Sequence, residues 1–221
     1  MGMDTTFVLV PGAGGAAWYW HRVVDELERR GWKAIAVDLP AADESAGLAE
    51  YTDVVVEAIG DRRPIVLVAQ SFGGFTAPLA CERVPVELLI LVNAMVPRPG
   101  ETGDEWWTAT GWKDEVGEVD MDAAFFHDVP ADVKAAALAE EPPQSWTPFE
   151  EPWPLASWPD VPTRFVQGRD DRFFPLDFQR RLVHERLGIE IDEVPGGHLV
   201  ALSRPVELVD ELERLARQVS L

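Results

Sequence analysis

Ile65-Val66-Leu67-Val68 is a continuous apolar run, followed at once by small residues and then by a helical stretch. A run without polar alternation suits a strand covered on both faces, as in a parallel sheet. The same grammar recurs along the chain. Short apolar runs at 7–10, 34–37, 88–92, 163–166 and 190–194 predict further strands, and 17–30, 48–59, 72–83, 178–186 and 205–219 have helical spacing. Pro78 must kink its helix or sit near the first turn, whereas Pro205 suits a first turn with Ser203 nearby as a cap. Alternating strands and helices predict an α/β fold: a mostly parallel six-stranded sheet flanked by helices, with right-handed crossovers. In such sheets the chemistry sits at the carboxyl ends of the strands.

The rhythm breaks between 97 and 162, where Pro-Pro, Trp-Trp and acidic clusters occur and only 131–141 reads cleanly as helix. The expected organisation is therefore a core of 1–96 and 163–221 interrupted by a cap over 97–162. Six of the nine tryptophans fall in that cap: Trp106, Trp107, Trp112, Trp146, Trp153 and Trp158. They either form its own small core or line an apolar pocket beneath it, to which Phe125, Phe126 and Phe149 could add.

Composition removes several function classes. The 221 residues carry a formal charge of −20, which repels nucleic acid and anionic membranes. The lone Cys81 excludes an internal disulfide and a Cys-rich metal site. No apolar run approaches the roughly 18 residues of a membrane span, and the start lacks the basic region of a signal peptide. Met1-Gly2 opens a loose match to the myristoylation pattern, but the strand just after it argues against a lipid anchor. A cytoplasmic enzyme without metal or other cofactor is the expectation, with homo-oligomerisation left open.

Strand 65–68 leads through Ala69 into Gln70-Ser71-Phe72-Gly73-Gly74, where a helix begins. A serine on a sharp strand-to-helix turn is a nucleophile elbow, and the turn needs small residues at 69 and 73. The plain alternative is that Ser71 only caps the helix. A serine nucleophile needs a base and an orienting acid. Of four histidines, His21 and His184 lie on helices and His127 in the irregular region; His198 alone follows a strand, in Pro195-Gly196-Gly197-His198. The acid should precede it, and the stretch after 163–166 offers Asp170 and Asp171, while Asn93-Ala94-Met95 after the fourth strand has no carboxylate. Pro11-Gly12-Ala13-Gly14-Gly15 completes neither phosphate-binding glycine pattern and suits half of an oxyanion hole, with the Ala13 and Phe72 N–H groups as donors.

Together these segments resemble the α/β-hydrolase superfamily, and within it the compact branch of plant-type methyl esterases and hydroxynitrile lyases. The resemblance rests on Val8 to Trp20, Val37-Asp38-Leu39-Pro40, the elbow, Asp171-Arg172-Phe173-Phe174-Pro175 with Phe178-Gln179-Arg180, and Gly197-His198-Leu199 with Leu202-Ser203-Arg204-Pro205. It implies a minimal α/β-hydrolase fold that lacks two edge strands of larger members. The family's acid spacing selects Asp171 over Asp170. The departures are Pro11 for His, Ala69 for Gly and Gln70 for His. Lyase members resemble one another in a threonine at position 12 and a lysine after the histidine; here stand Gly12 and Leu199, and none of the three lysines lies near His198. The expected activity is therefore serine hydrolysis of a small apolar or aromatic carboxylic ester through an acyl-enzyme. A hydroxynitrile-lyase-like or other C–C lyase and a slow-turnover ligand receptor are the alternatives. Substrate contacts are expected from Gly12, Gln70, Trp106, Trp107, Phe125 and Leu199.

Overall fold

The computed structural model describes residues 4–140 and 143–219. Met1 to Met3, the first half of the myristoylation pattern, and Glu141, the expected end of one helix, lie outside the described residues. Six strands form one sheet in the order β2-β1-β3-β4-β5-β6: β1 Thr6–Val10, β2 Lys33–Ala36, β3 Ile65–Gln70, β4 Leu88–Val92, β5 Thr163–Gly168 and β6 Ile191–Val194. Every pairing is parallel.

The two faces of the sheet take alternate residues, as the pleat requires. Phe7, Leu9, Val66 and Val68 pack under α1 (His21–Arg29) and, later in the chain, α11 (Pro205–Gln218). Val8, Val10, Leu67 and Ala69 pack under α2 (Leu48–Ile59), α3 (Gly73–Cys81) and α9 (Leu176–Leu187). Both faces are covered, which is why these strands read as unbroken apolar runs. A 3-10 turn, Ala17–Trp20, precedes α1, so the expected single helix over 17–30 begins in a tighter form. Pro78 lies inside α3 and cannot donate a backbone hydrogen bond there.

A short helix, α10 (Val200–Ser203), absorbs Ser203, so the expected cap is not made. Arg204 is the N-cap residue of α11, no side chain caps it, and Ser203 Oγ has no hydrogen-bond partner among the described residues. Pro205 does occupy the first turn.

Between β4 and β5 the chain holds more helix than its sequence suggests: α4 (Gly103–Ala109), α5 (Trp112–Val116), α6 (Met121–Phe126), α7 (Ala131–Glu140) and α8 (Thr147–Glu150). Thr102 and Glu105 cap α4 reciprocally, at 3.0 and 3.1 Å. Trp106, Trp112, Phe149 and Trp153 join one apolar cluster with Phe72, Phe75 and Leu79 from the elbow and α3. The segment is thus welded to the helix that follows Ser71. Glu151 reaches back to accept the Leu48 N–H at 2.7 Å, at a place where a Cβ on Gly47 would lie 2.1 Å from its Oε1.

A buried ion pair fastens the start of this segment to α9. Arg186 and Glu101 side chains are 1% and 8% exposed, and Nη2 donates to Oε1 at 2.9 Å. Glu101→Ala should destabilise the protein by about 3–5 kcal/mol in denaturant unfolding, because it leaves a buried guanidinium unpaired. Replacing both partners together with Leu and Met should cost less than that single change.

Candidate active site

Register brings the relevant loops to one edge. Val10 pairs with Ala69, Gln70 with Val92, and Gly168 with Val194, so the carboxyl ends of β1, β3, β4, β5 and β6 finish side by side. Ser71 directly follows β3 at φ 50, a left-handed conformation rare for a residue with a Cβ. The N-cap residue of α3 is Phe72, with no side-chain cap bond. Ser71 therefore does not cap the helix; its Oγ lies 3.2 Å from His198 Nε2.

The imidazole of His198 is fully buried, and its Nδ1 lies 2.9 Å from Asp171 Oδ2. Asp171 Oδ1 accepts the Phe173 and Phe174 N–H groups, both at 2.8 Å, and Gln167 Nε2 donates to Oδ2 at 3.3 Å. A carboxylate held this way can only accept, so Nδ1 carries the imidazole proton and Nε2 presents its lone pair toward both Ser71 Oγ and the Gln70 amide, each 3.2 Å away. Asp170 instead accepts the Gly196 N–H at 3.1 Å and steadies the histidine loop.

Phe125, Phe173 and Phe174 surround His198 edge-on, with ring centroids 4.9, 4.9 and 5.0 Å from its own. The Ala13 and Phe72 N–H groups have no protein acceptor among the described residues. Gly12 lies against Ser71: a Cβ there would be 2.7 Å from Ser71 Cβ and 2.6 Å from Gln70 Oε1. A cleft of about 500 Å3 lies at the glycine loop after β1, lined by residues that include Gly14, Gly15, Trp18, Leu39 and Pro40; Ser71 and His198 are not among its lining residues.

The other expected contact residues are dispersed. Phe125 touches the site and Trp107 packs on Phe173 at 5.8 Å. Trp106 has no exposed surface, and its indole N–H donates to the Val96 carbonyl at 3.2 Å. It is core of the β4–β5 segment and offers nothing to a ligand in this conformation, a correction to its expected role. Gln70 is buried, with its amide nitrogen 3.2 Å from His198 Nε2. Leu199 is half-buried at the start of α10. His21 bonds the Trp18 carbonyl and His184 is exposed, while His127 ends α6 against Gly197.

Three supporting residues escaped the sequence reading. Asn93, at φ 44, donates to the Gly197 and His198 carbonyls, both at 3.0 Å, and accepts from the Gly168 N–H at 2.7 Å. Gln167 holds Asp171 as described. Asp128 accepts the Gly197 N–H at 2.8 Å. An asparagine directly after a strand is a left-handed-turn signal that could have flagged Asn93.

The sequence profile of the Alpha/beta hydrolase family matches residues 7–211. The chain belongs to that family. Among its relatives is "Probable esterase PIR7A" of Oryza sativa subsp. indica, 27% identical over 255 residues, covering 95% of this chain and 96% of that protein. "Alpha-hydroxynitrile lyase" of Arabidopsis thaliana is 25% identical over 248 residues, covering 95% and 96%. The crystal structure of polyneuridine aldehyde esterase has a TM-score of 0.82 at 23% identity, covering 96% of this chain and 99% of that one. At that identity the likeness shows the fold. The esterases among these hydrolase relatives support the esterase reading. Among the described residues no helix is long and apolar enough to cross a membrane, and no cluster of three or more His, Cys, Asp or Glu side chains could hold a metal ion.

Cys81, at the end of α3, is no rival nucleophile: burial first, and the Glu82 charge second, push its thiol up to about 12. At pH 8 about 10⁻⁴ of it is thiolate. Iodoacetamide should leave the native hydrolase unlabelled at that pH and label it after denaturation, as mass spectrometry would record.

Proposed function

We propose that this hydrolase is a serine esterase in which Ser71 is the nucleophile, His198 the base and Asp171 the orienting acid. The observation that carries this reading is the unbroken chain from Ser71 Oγ to His198 Nε2, and from His198 Nδ1 to Asp171. Ser71 attacks the ester carbonyl carbon while His198 takes its proton. The Ala13 and Phe72 N–H groups receive the oxyanion, and each such donor typically contributes about 3 kcal/mol. His198 then protonates the departing alcohol. Water, activated by the same imidazole, releases the acid from the acyl-enzyme.

The substrate is a small apolar or aromatic carboxylic ester, because, apart from the orienting Asp171, the side chains packed on the His198 ring are those of Phe125, Phe173 and Phe174. Residues 97–162 act as its cap, with Phe125 and Trp107 as contacts. The same reading takes the chain as a cytoplasmic enzyme that needs no metal or cofactor. Its relatives include a lyase as well as esterases. Position 12 argues for the esterases: the side chain that lyase-like members carry there would collide with Ser71 Cβ.

Two experiments test the assignment. Ser71→Ala should lower turnover of aryl and short-chain esters by about 10³-fold or more with the fold intact by circular dichroism; wild-type turnover in that variant would refute it. Stoichiometric labelling of Ser71 without turnover would favour the receptor alternative. Gly12→Ala should also lower kcat, about 10-fold or more, since the new methyl must displace Ser71 or Gln70; an undiminished kcat would remove the loop from the site.

A further inference from the structure

We infer that Asp128 is a positioning residue for the base, through which the alignment of His198 depends on the seating of the β4–β5 segment. The inference rests on the esterase reading and extends it to a residue outside the triad.

The histidine loop is held from two sides. From the sheet edge, Asp170 accepts the Gly196 N–H, and Asn93 donates to the Gly197 and His198 carbonyls. From the β4–β5 segment comes a single side-chain bond, the Gly197 N–H to Asp128 Oδ2 at 2.8 Å. That N–H belongs to the residue just before His198. Without the bond, a glycine with wide backbone freedom precedes the base with one side of its loop untethered.

Three further observations set Asp128 apart from an ordinary turn residue. Its side chain is only 13% exposed, and Oδ1 has no hydrogen-bond partner among the described residues. A carboxylate buried to this degree is costly, so the bond it does make carries weight. Position 197 is tightly faced: a Cβ there would lie 2.6 Å from His127 Nε2 and 2.7 Å from Asp128 Oδ1, so these side chains would have to shift to admit it. The His127–Asp128 pair therefore lies flat against the loop. Phe125, three residues earlier, places its ring 4.9 Å from that of His198. One stretch of the insert thus touches the base directly and grips the peptide that carries it.

The physical consequence concerns rate more than binding. Proton transfer from Ser71 depends on the 3.2 Å approach to His198 Nε2. Displacement of a reacting group by about 1 Å can cost about 10²-fold. Ground-state substrate contacts need not change.

The test is steady-state kinetics on the full-length protein with an aryl ester. Asp128→Ala should lower kcat about 10- to 100-fold with KM within about 2-fold. Asp128→Asn retains an oxygen that accepts the same N–H and should restore kcat to within about 3-fold of wild type. Gly197→Ala pushes the pair away from the other partner and should lower kcat too. The double variant Asp128→Ala/Gly197→Ala should cost no more than the worse single change, since both break one contact. Should Asp128→Ala fail to fold, Gly197→Ala and Asp128→Asn still decide the matter. An unchanged kcat in Asp128→Ala or Gly197→Ala overturns the inference, as does a rise in KM alone or an Asp128→Asn as impaired as Asp128→Ala. Absence of Ser71-dependent turnover in the wild type overturns the esterase reading and this inference with it.

Discussion

Ser71 at φ 50 is the constraint around which the site is arranged. A left-handed residue with a side chain costs of order 1–3 kcal/mol and persists only where its surroundings over-determine it. Here they do. The Ser71 N–H reaches the Val92 carbonyl at 3.3 Å, and the Ser71 carbonyl accepts from Gly74 and Met95 at 3.1 and 2.9 Å. The two glycines after it let α3 lean onto its neighbours: a Cβ at 73 would lie 2.8 Å from the Pro11 carbonyl oxygen, and one at 74 would lie 1.9 Å from that of Met95. Ala69 shows how far the small-residue rule bends, since its Cβ would stand 3.4 Å from a Cβ on Gly73. That is ordinary contact, so a methyl at one of the two facing positions is tolerated.

Holding the backbone in this way throws Oγ clear of the helix and toward His198. The imidazole is fixed in turn by a carboxylate with filled acceptor sites and by three ring edges. Rings exclude water, which strengthens each remaining polar contact. A stack of Trp146, Phe149, Phe72 and Phe75, with centroids 4.5, 3.8 and 5.1 Å apart, runs from the surface past the residue after Ser71. Segment and elbow therefore share one apolar cluster, and the geometry of the site is coupled to how that segment packs.

Much of this was legible in the chain. Strands β3 and β4 stand where unbroken apolar runs put them, because covering both faces of a parallel sheet leaves that trace in one dimension. The elbow was legible because its turn demands small residues at fixed offsets from the serine. Apart from α7, the helices of the β4–β5 segment were not read, although Thr102 and Glu105 form a capping-box signature ahead of Trp106-Trp107. Short helices of four to seven residues carry too few turns to show a period. Tryptophans that look alike in sequence divide between full burial at Trp106 and 51% exposure at Trp146, which local pattern cannot foresee.

The sequence by itself determined the alternation of strand and helix, the serine turn, and a histidine loop at the carboxyl edge of the sheet. These are local facts, written in spacing and in small residues. The choice between Asp170 and Asp171 needed a family's spacing, and the fold shows the physical difference: one bonds the loop backbone, the other the imidazole. Only the tertiary structure brought in Asn93 and Asp128, which reach Gly197 from 104 and 69 residues away. A hydrogen bond across such a separation leaves no period and no motif. It exists because six parallel strands end in register and an insert folds back over them.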